Sequence, residues 1–259
     1  MANTILDRYG IKEVADVTFY EINTDTNGVE IPGKPILYLD TLKVSTVEQT
    51  AESTDARGGK GNAALISWDY GKEITVTLED ALYSVKSLAL MFGDKDSGTN
   101  PTTATILKTL WKANVSTADA SGATAIINGT TVTLSSPTYY NANGTIGSST
   151  SYAYVTGTIS TNKSFTIDVS ANGFPGTYYI TGDTYARNES NGVDEFFQFI
   201  IPKAKVLSES NTITLEAEGD PTVFSMSLKV LRPKDGVMMK LVQYAIENTV
   251  SDQGGNGSD

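Results

Sequence analysis

Along most of the chain, apolar side chains fall on alternate positions, the period of a strand with one buried face. Residues 73–78 show it most clearly: Ile74, Val76 and Leu78 point one way, Thr75 and Thr77 the other. Residues 17–22 and 35–44 are rich in β-branched, aromatic and aliphatic side chains, and Asn27-Gly28 and Pro32-Gly33 between them signal turns. The same reading predicts strands at 152–159, 165–169, 177–181, 195–206, 212–217 and 223–231, with a hairpin around Asn128-Gly129 and another around Gly219-Asp220-Pro221. The first half of 195–206 is apolar on both pleat faces, as in a strand covered on both sides.

The period changes once. Leu82, Val85, Leu88 or Ala89, and Phe92 recur at helical spacing, with Asp80 placed to cap and Gly93 to close. This predicts one short amphipathic helix. Between the strand ending at Val44 and the next, which begins near Leu65, the apolar pattern lapses, and residues 45–62 read as a long polar loop or arm. Composition shifts between Ala113 and Asn162, where Asp119 is the only charged residue and Thr, Ser, Gly, Asn and Tyr are prominent. An inserted β subdomain is expected there. The polar residues 251–259 are expected to be disordered.

Composition narrows the chemistry. The 259 residues include no Cys and no His, which removes disulfides, thiolate metal sites, cysteine nucleophiles and histidine-based catalysis. Lys+Arg 19 against Asp+Glu 30 gives a formal charge of −11, a surface that repels nucleic-acid phosphates and anionic lipid rather than binding them. The N-terminus lacks a basic segment followed by an apolar one, so no secretory signal is expected, and the apolar run 88–92 is far short of the ~20 residues of a membrane span.

No local motif carries a reaction. Gly58-Gly59-Lys60-Gly61 lacks the first glycine and the Ser/Thr of a phosphate-binding loop. Asp94 and Asp96 have calcium-loop spacing, but Gly98 comes one position early and Thr105 stands where the bidentate Glu belongs. Tyr139-Tyr140 and Tyr178-Tyr179 could stack on sugars, but neighbours on a strand face opposite ways, and each pair reads more simply as one buried and one exposed ring. No catalytic, cofactor or metal residue is expected.

Residues 65–82 running into Leu90-Met91-Phe92-Gly93, together with residues 197–205, 218–221 and 224–230, resemble the strand-then-helix unit and closing strands of phage major tail tube proteins. With the strands around them they cover roughly half the chain; residues 113–162 lie outside the resemblance. The resemblance implies a mainly β, sandwich- or barrel-like fold with one packed helix, hexameric rings stacked into a tube, and no catalysis. It also implies a long loop reaching a neighbouring subunit or ring. The 45–62 arm fits that part, with Glu48, Glu52, Asp55, Arg57 and Lys60 as expected contact residues.

The organisation expected from these readings is a discontinuous sandwich of residues 1–112 and 163–250 interrupted by the 113–162 subdomain. The expected partners are further copies of the chain and a tail sheath or tape measure protein. DNA would pass without specific binding, no membrane would be involved, and assembly would take place in the host bacterial cytoplasm. Two readings of other classes compete: another virion β-protein (baseplate or hub, connector, capsid decoration) and a carbohydrate-binding β-sandwich. A hydrolase built on two carboxylates stands further off.

Overall fold

A computed structural model of the chain describes residues 8–94, 101–115, 123–127, 130–190, 192–209, 211–213 and 223–244. The chain divides into two compact units, residues 1–95 with 169–259, and residues 96–168.

The larger unit contains β1 (Tyr9–Ile11), β2 (Asp16–Thr24), β3 (Glu30–Leu39), β4 (Leu42–Gly58), β5 (Ala63–Asp80) and helix α1 (Val85–Phe92). The smaller unit contributes β6 (Thr102–Val115), β7 (Thr124–Ile127), β8 (Thr130–Thr133), β9 (Ser135–Tyr140) and β10 (Tyr152–Ser164). The chain then returns to the larger unit with β11 (Thr177–Asn188), β12 (Asp194–Val206), β13 (Thr212–Ile213), β14 (Phe224–Val230) and β15 (Lys240–Tyr244). The expected mainly β, sandwich-like fold with a short packed helix is the fold observed, and α1 is the single helix among the described residues.

One ten-stranded antiparallel sheet builds the larger unit, in the order β3-β2-β11-β12-β14-β5-β4, with β1 beside β11, β13 beside β14 and β15 beside β12. Alternating residues from these strands meet in one core: Val17 and Phe19 of β2, Val76 and Leu78 of β5, Ile180 of β11, Ile201 of β12 and Leu228 of β14. Leu90 and Met91 of α1 close over it. Full burial of side chains this size stabilises by about 1.5–3 kcal/mol each before entropy is counted, so this cluster carries the fold.

The helix is shorter than its apolar spacing suggests. Its N-cap is Ser84, whose Oγ accepts from the Ser87 N–H at 3.0 Å while the Ser84 N–H donates to Ser87 Oγ at 2.9 Å. Asp80 instead ends β5, where its carboxylate accepts from Thr41 Oγ1 and from the Leu82 N–H. Gly93 does close the helix, in the left-handed conformation at φ 82°.

Strand and loop expectations change at three places. The stretch 35–44 is broken at Asp40-Thr41 into the end of β3 and the start of β4, and Pro32-Gly33 lies inside β3 rather than in a turn. Residues 165–169 alternate in sequence but form no strand, and Phe165 and Val169 are both exposed. Residues 45–62 are not a loop: 45–58 belong to β4, and only 59–62 turn. Of the expected strand 212–217, Thr212–Ile213 form β13, and 214–217 lie outside the described residues. The turns at 128–129 and 219–221, most of the 94–98 segment and the tail 251–259 lie outside the described residues.

In the smaller unit β6, β10 and β9 form a three-stranded antiparallel sheet, and β7 and β8 pair as a hairpin in the register Ile127↔Thr130. Leu134, Tyr152 and Val155 make its small core, with Leu110, Tyr139 and Ile159 packed around them. The sheet draws in residues on both sides of the uncharged stretch, because β10 pairs along its length with β6, beginning at Thr102.

Candidate functional site

The feature of the larger unit that its own core does not explain is the β4–β5 hairpin. Seventeen residues of β4 pair with eighteen of β5, from Leu42↔Asp80 at the base to Gly58↔Ala63 at the tip. Glycine chemistry makes the tip. Gly59, Gly61 and Asn62 all adopt positive φ, at 78°, 91° and 50°, so the run that echoes a phosphate loop serves as a turn.

The two halves of this ribbon meet different fates. In the base, β5 pairs with β14 between Phe224↔Asp80 and Lys229↔Thr75, and Ile74, Val76 and Leu78 are buried. Beyond Thr75 no partner other than β4 is paired with β5 among the described residues. Between Thr50↔Glu73 and Glu52↔Tyr70, two residues of β5 stand against one of β4, a bulge whose Gly71 has φ 62°. Bulges of this kind bend and twist a strand pair, and here the bulge separates the packed half from the projecting half.

Side chains directly opposite each other in an antiparallel pair share a face. The registers Glu52↔Tyr70, Thr54↔Trp68 and Ala56↔Ile66 therefore put Ile66, Trp68 and Tyr70 on one face of the projecting half. These three are 55%, 52% and 52% exposed. The other face carries Ser53↔Asp69 and Asp55↔Ser67, with Leu65 as its one large apolar side chain near the tip. The ribbon is amphipathic, and its apolar side is open.

The five sequence-predicted contact residues are spread along this ribbon rather than gathered. Glu48 sits on the base opposite Thr75, Glu52 at the end of the apolar row, Asp55 and Arg57 further out, and Lys60 in the turn. Arg57 Nη2 donates to Asp55 Oδ2 at 2.6 Å, so that charge is already matched within its own strand. Sequence reasoning placed the arm but not its apolar residues. Their signal was present: Ile66, Trp68 and Tyr70 alternate with Ser67 and Asp69 just as Ile74, Val76 and Leu78 alternate with Thr75 and Thr77.

The tyrosine pairs divide between ring partners. Tyr178 meets Phe19 edge-on, Tyr179 meets Tyr20, Tyr139 meets Tyr152, and Tyr140 stacks on Tyr154. Among the described residues, no group of three or more acidic side chains is arranged to hold a metal ion.

The fold is that of a mainly β protein whose larger unit bears a long antiparallel ribbon with an open apolar row. The model of the YomU/Tube protein family matches residues 9–243, and the chain belongs to that family. It is a phage tube-related family, which makes the chain a structural component of a phage virion. No match was found among curated proteins.

Proposed function

We propose that the chain is a tail tube subunit that assembles as hexameric rings, stacked into a conduit through which DNA passes. The observation that carries this reading, given the family, is the projecting half of the β4–β5 ribbon. Apolar surface left in water costs about 25 cal/mol per Å², so Ile66, Trp68 and Tyr70 favour an assembled state in which a neighbouring subunit or ring covers them. Glu52 at the end of this row and Lys60 in the turn beyond it would set register and exclude wrong pairings more than add affinity, while Asp55 and Arg57 lie on the opposite face of the ribbon and Glu48 at its base.

Charge fits the conduit. At −11 per subunit a ring of six carries 6 × −11 = −66, and a wall of that sign repels phosphate instead of holding it. The further partners of this reading are a tail sheath or tape measure protein, and assembly takes place in the host bacterial cytoplasm.

Negative-stain microscopy of the concentrated protein over a range of salt tests the proposal. Rings and tubes are expected, more abundant at moderate salt, because screening over the ~10 Å Debye length at 0.1 M weakens subunit repulsion. Duplex DNA added at physiological salt is expected to remain unbound. Small closed oligomers without tubes would point to another virion β-protein, and retention of DNA would overturn the conduit.

A further inference from the structure

The ten-stranded sheet carries a second open apolar surface, on its outward face. The residues Tyr185, Phe196 and Tyr244 are directly opposite one another across β11, β12 and β15, and their rings form a continuous ladder with centroids 5.4 and 5.3 Å apart. Tyr185 is 52% exposed and Tyr244 37%. The alternate residues of β12, Phe199 and Ile201, are buried in the core, so this strand is apolar on both faces while only one is covered by the described residues of the larger unit. Strands of that composition belong in the middle of two layers. Among the described residues of the larger unit, no second layer covers this face.

One row further along the same face, Asp16 and Asp183 stand directly opposite each other on β2 and β11. Like charges in that position repel. Tyr38 donates to Asp16 at 3.2 Å and Gln198 to Asp183 at 2.7 Å, but neither bond brings a positive charge. On the other side of the ladder Arg187 is engaged by Asp194 through two bonds of 2.6 and 2.7 Å. Lys240, opposite Ile200, lies two rows from the ladder, beyond the row of Asp183. Lys12 and Glu13 lie beside Tyr185 at the β1 side, and the surface combines the aromatic row with the adjoining Asp16–Asp183 pair.

The projecting half of the β4–β5 ribbon has the complementary features: a flat apolar row of Ile66, Trp68 and Tyr70, and Lys60 exposed in the turn beyond it. The dimensions agree. The three-strand ladder is about 10 Å wide at ~4.8 Å per strand, and Ile66 to Tyr70 spans about 13 Å at ~3.3 Å per residue. A ribbon laid across the strands, in the near-orthogonal mode of sheet packing, covers the ladder and carries its turn toward the acidic pair.

We infer that the apolar face of this ribbon packs across the Tyr185–Phe196–Tyr244 ladder of a second copy of the chain, with Lys60 brought to Asp16 and Asp183. The ribbon of one copy supplies a second layer on this face of the next. Because the two surfaces differ, the contact is head-to-tail and propagates, as a ring or a stack requires. The inference rests on the tube reading for its biological setting, but the contact itself is tested separately.

The absence of native cysteine makes the test clean. The variants Thr54→Cys, directly opposite Trp68 on the ribbon, and Val242→Cys, one row from the ladder, together with the double variant carrying both, leave the aromatic residues in place and are treated, at a concentration and salt where the parent assembles, with a bifunctional maleimide spanning the ~10 Å between packed sheets. If the parent forms no assembly, the same treatment is applied to concentrated protein. The double variant is expected to give a ladder of covalent oligomers, and the mixed single variants a dimer at least ten-fold more abundant than either gives alone. Dimers from Thr54→Cys alone would mean ribbon on ribbon and overturn the inference. So would a double variant that cross-links only within one chain, or a mixture that does not cross-link. Tubes without the mixed cross-link would leave the tube reading standing and remove this contact; the cross-link without tubes would do the reverse. Circular dichroism of each variant confirms that it is folded.

Discussion

The two halves of the β4–β5 ribbon are built alike and end differently. In both, alternate residues of β5 are apolar: Ile74, Val76 and Leu78 in the base, Ile66, Trp68 and Tyr70 in the projection. The first three are 3%, 0% and 1% exposed, and the second three more than half exposed. The difference lies in the partners. The base has β14 beside it and α1 across the core, while the projection, past the bulge at Gly71, has neither. Alternation reports that a face is made to be covered. It does not report whether the cover comes from the same chain.

The largest effect that follows separates the halves directly. Leu78→Ala removes core packing and is expected to lower the unfolding free energy of the isolated subunit by about 2–5 kcal/mol, read by chemical denaturation. Trp68→Ala is expected to cost the isolated subunit less than ~1 kcal/mol, the scale of a cross-strand pair, yet to abolish tubes under the microscope. A Trp68→Ala protein as destabilised as Leu78→Ala would erase the distinction.

A middle-sized effect belongs to the boundary. Gly71 has φ 62° and no close neighbour except Glu52 Cγ at 4.0 Å, so Gly71→Ala meets a backbone penalty and little steric one. About 1 kcal/mol is expected in subunit stability. Assembly should weaken by more than that, because the bulge aims the projection. Equal losses in both measurements would show that the bulge only joins the halves.

The smallest effect comes from a tie wholly inside the larger unit. Glu30 accepts from the Lys234 N–H at 2.9 Å and from Lys203 Nζ at 3.2 Å, and these bonds hold its carboxyl below the ordinary glutamate range. A depressed folded value means that the tie stabilises in full above the unfolded value near ~4.3 and fades as pH falls through the folded one. Glu30→Gln should remove that acid-side dependence and cost at most about 1 kcal/mol at neutral pH, with assembly unchanged. A loss of tubes in this variant would show that the ribbon is not the controlling contact.

What the sequence disclosed follows the same division. Strands β2, β5, β10, β11, β12 and β14 were legible because one face of each meets a core within its own unit. β4 was not, since it is the edge of the sheet and almost every residue past Leu42 is exposed, which leaves its polar composition free to look like a loop. The 165–169 segment failed the other way: its alternation has no strand to pair with. Asp80 and Leu82 extended the apparent helix, while the Ser84–Ser87 capping box, made of two modest residues, was the true start. The lapse of apolar pattern marked where the ribbon lies but not that it is paired, and its apolar face could be assigned only once the register with β4 was known.

The long ribbon also has a consequence in time. Its pairings join residues 42–80, close in sequence, so it can form as soon as the first eighty or so residues exist. The core it rests on cannot, because β2 pairs with β11 across some 160 residues and the base of β5 waits for β14 at 224–229. During synthesis the chain therefore presents its sticky surface before it has a body to stand on. Nascent chains crowded on one message would meet ribbon first, so the production of tube protein depends on an order of events that the finished fold no longer displays.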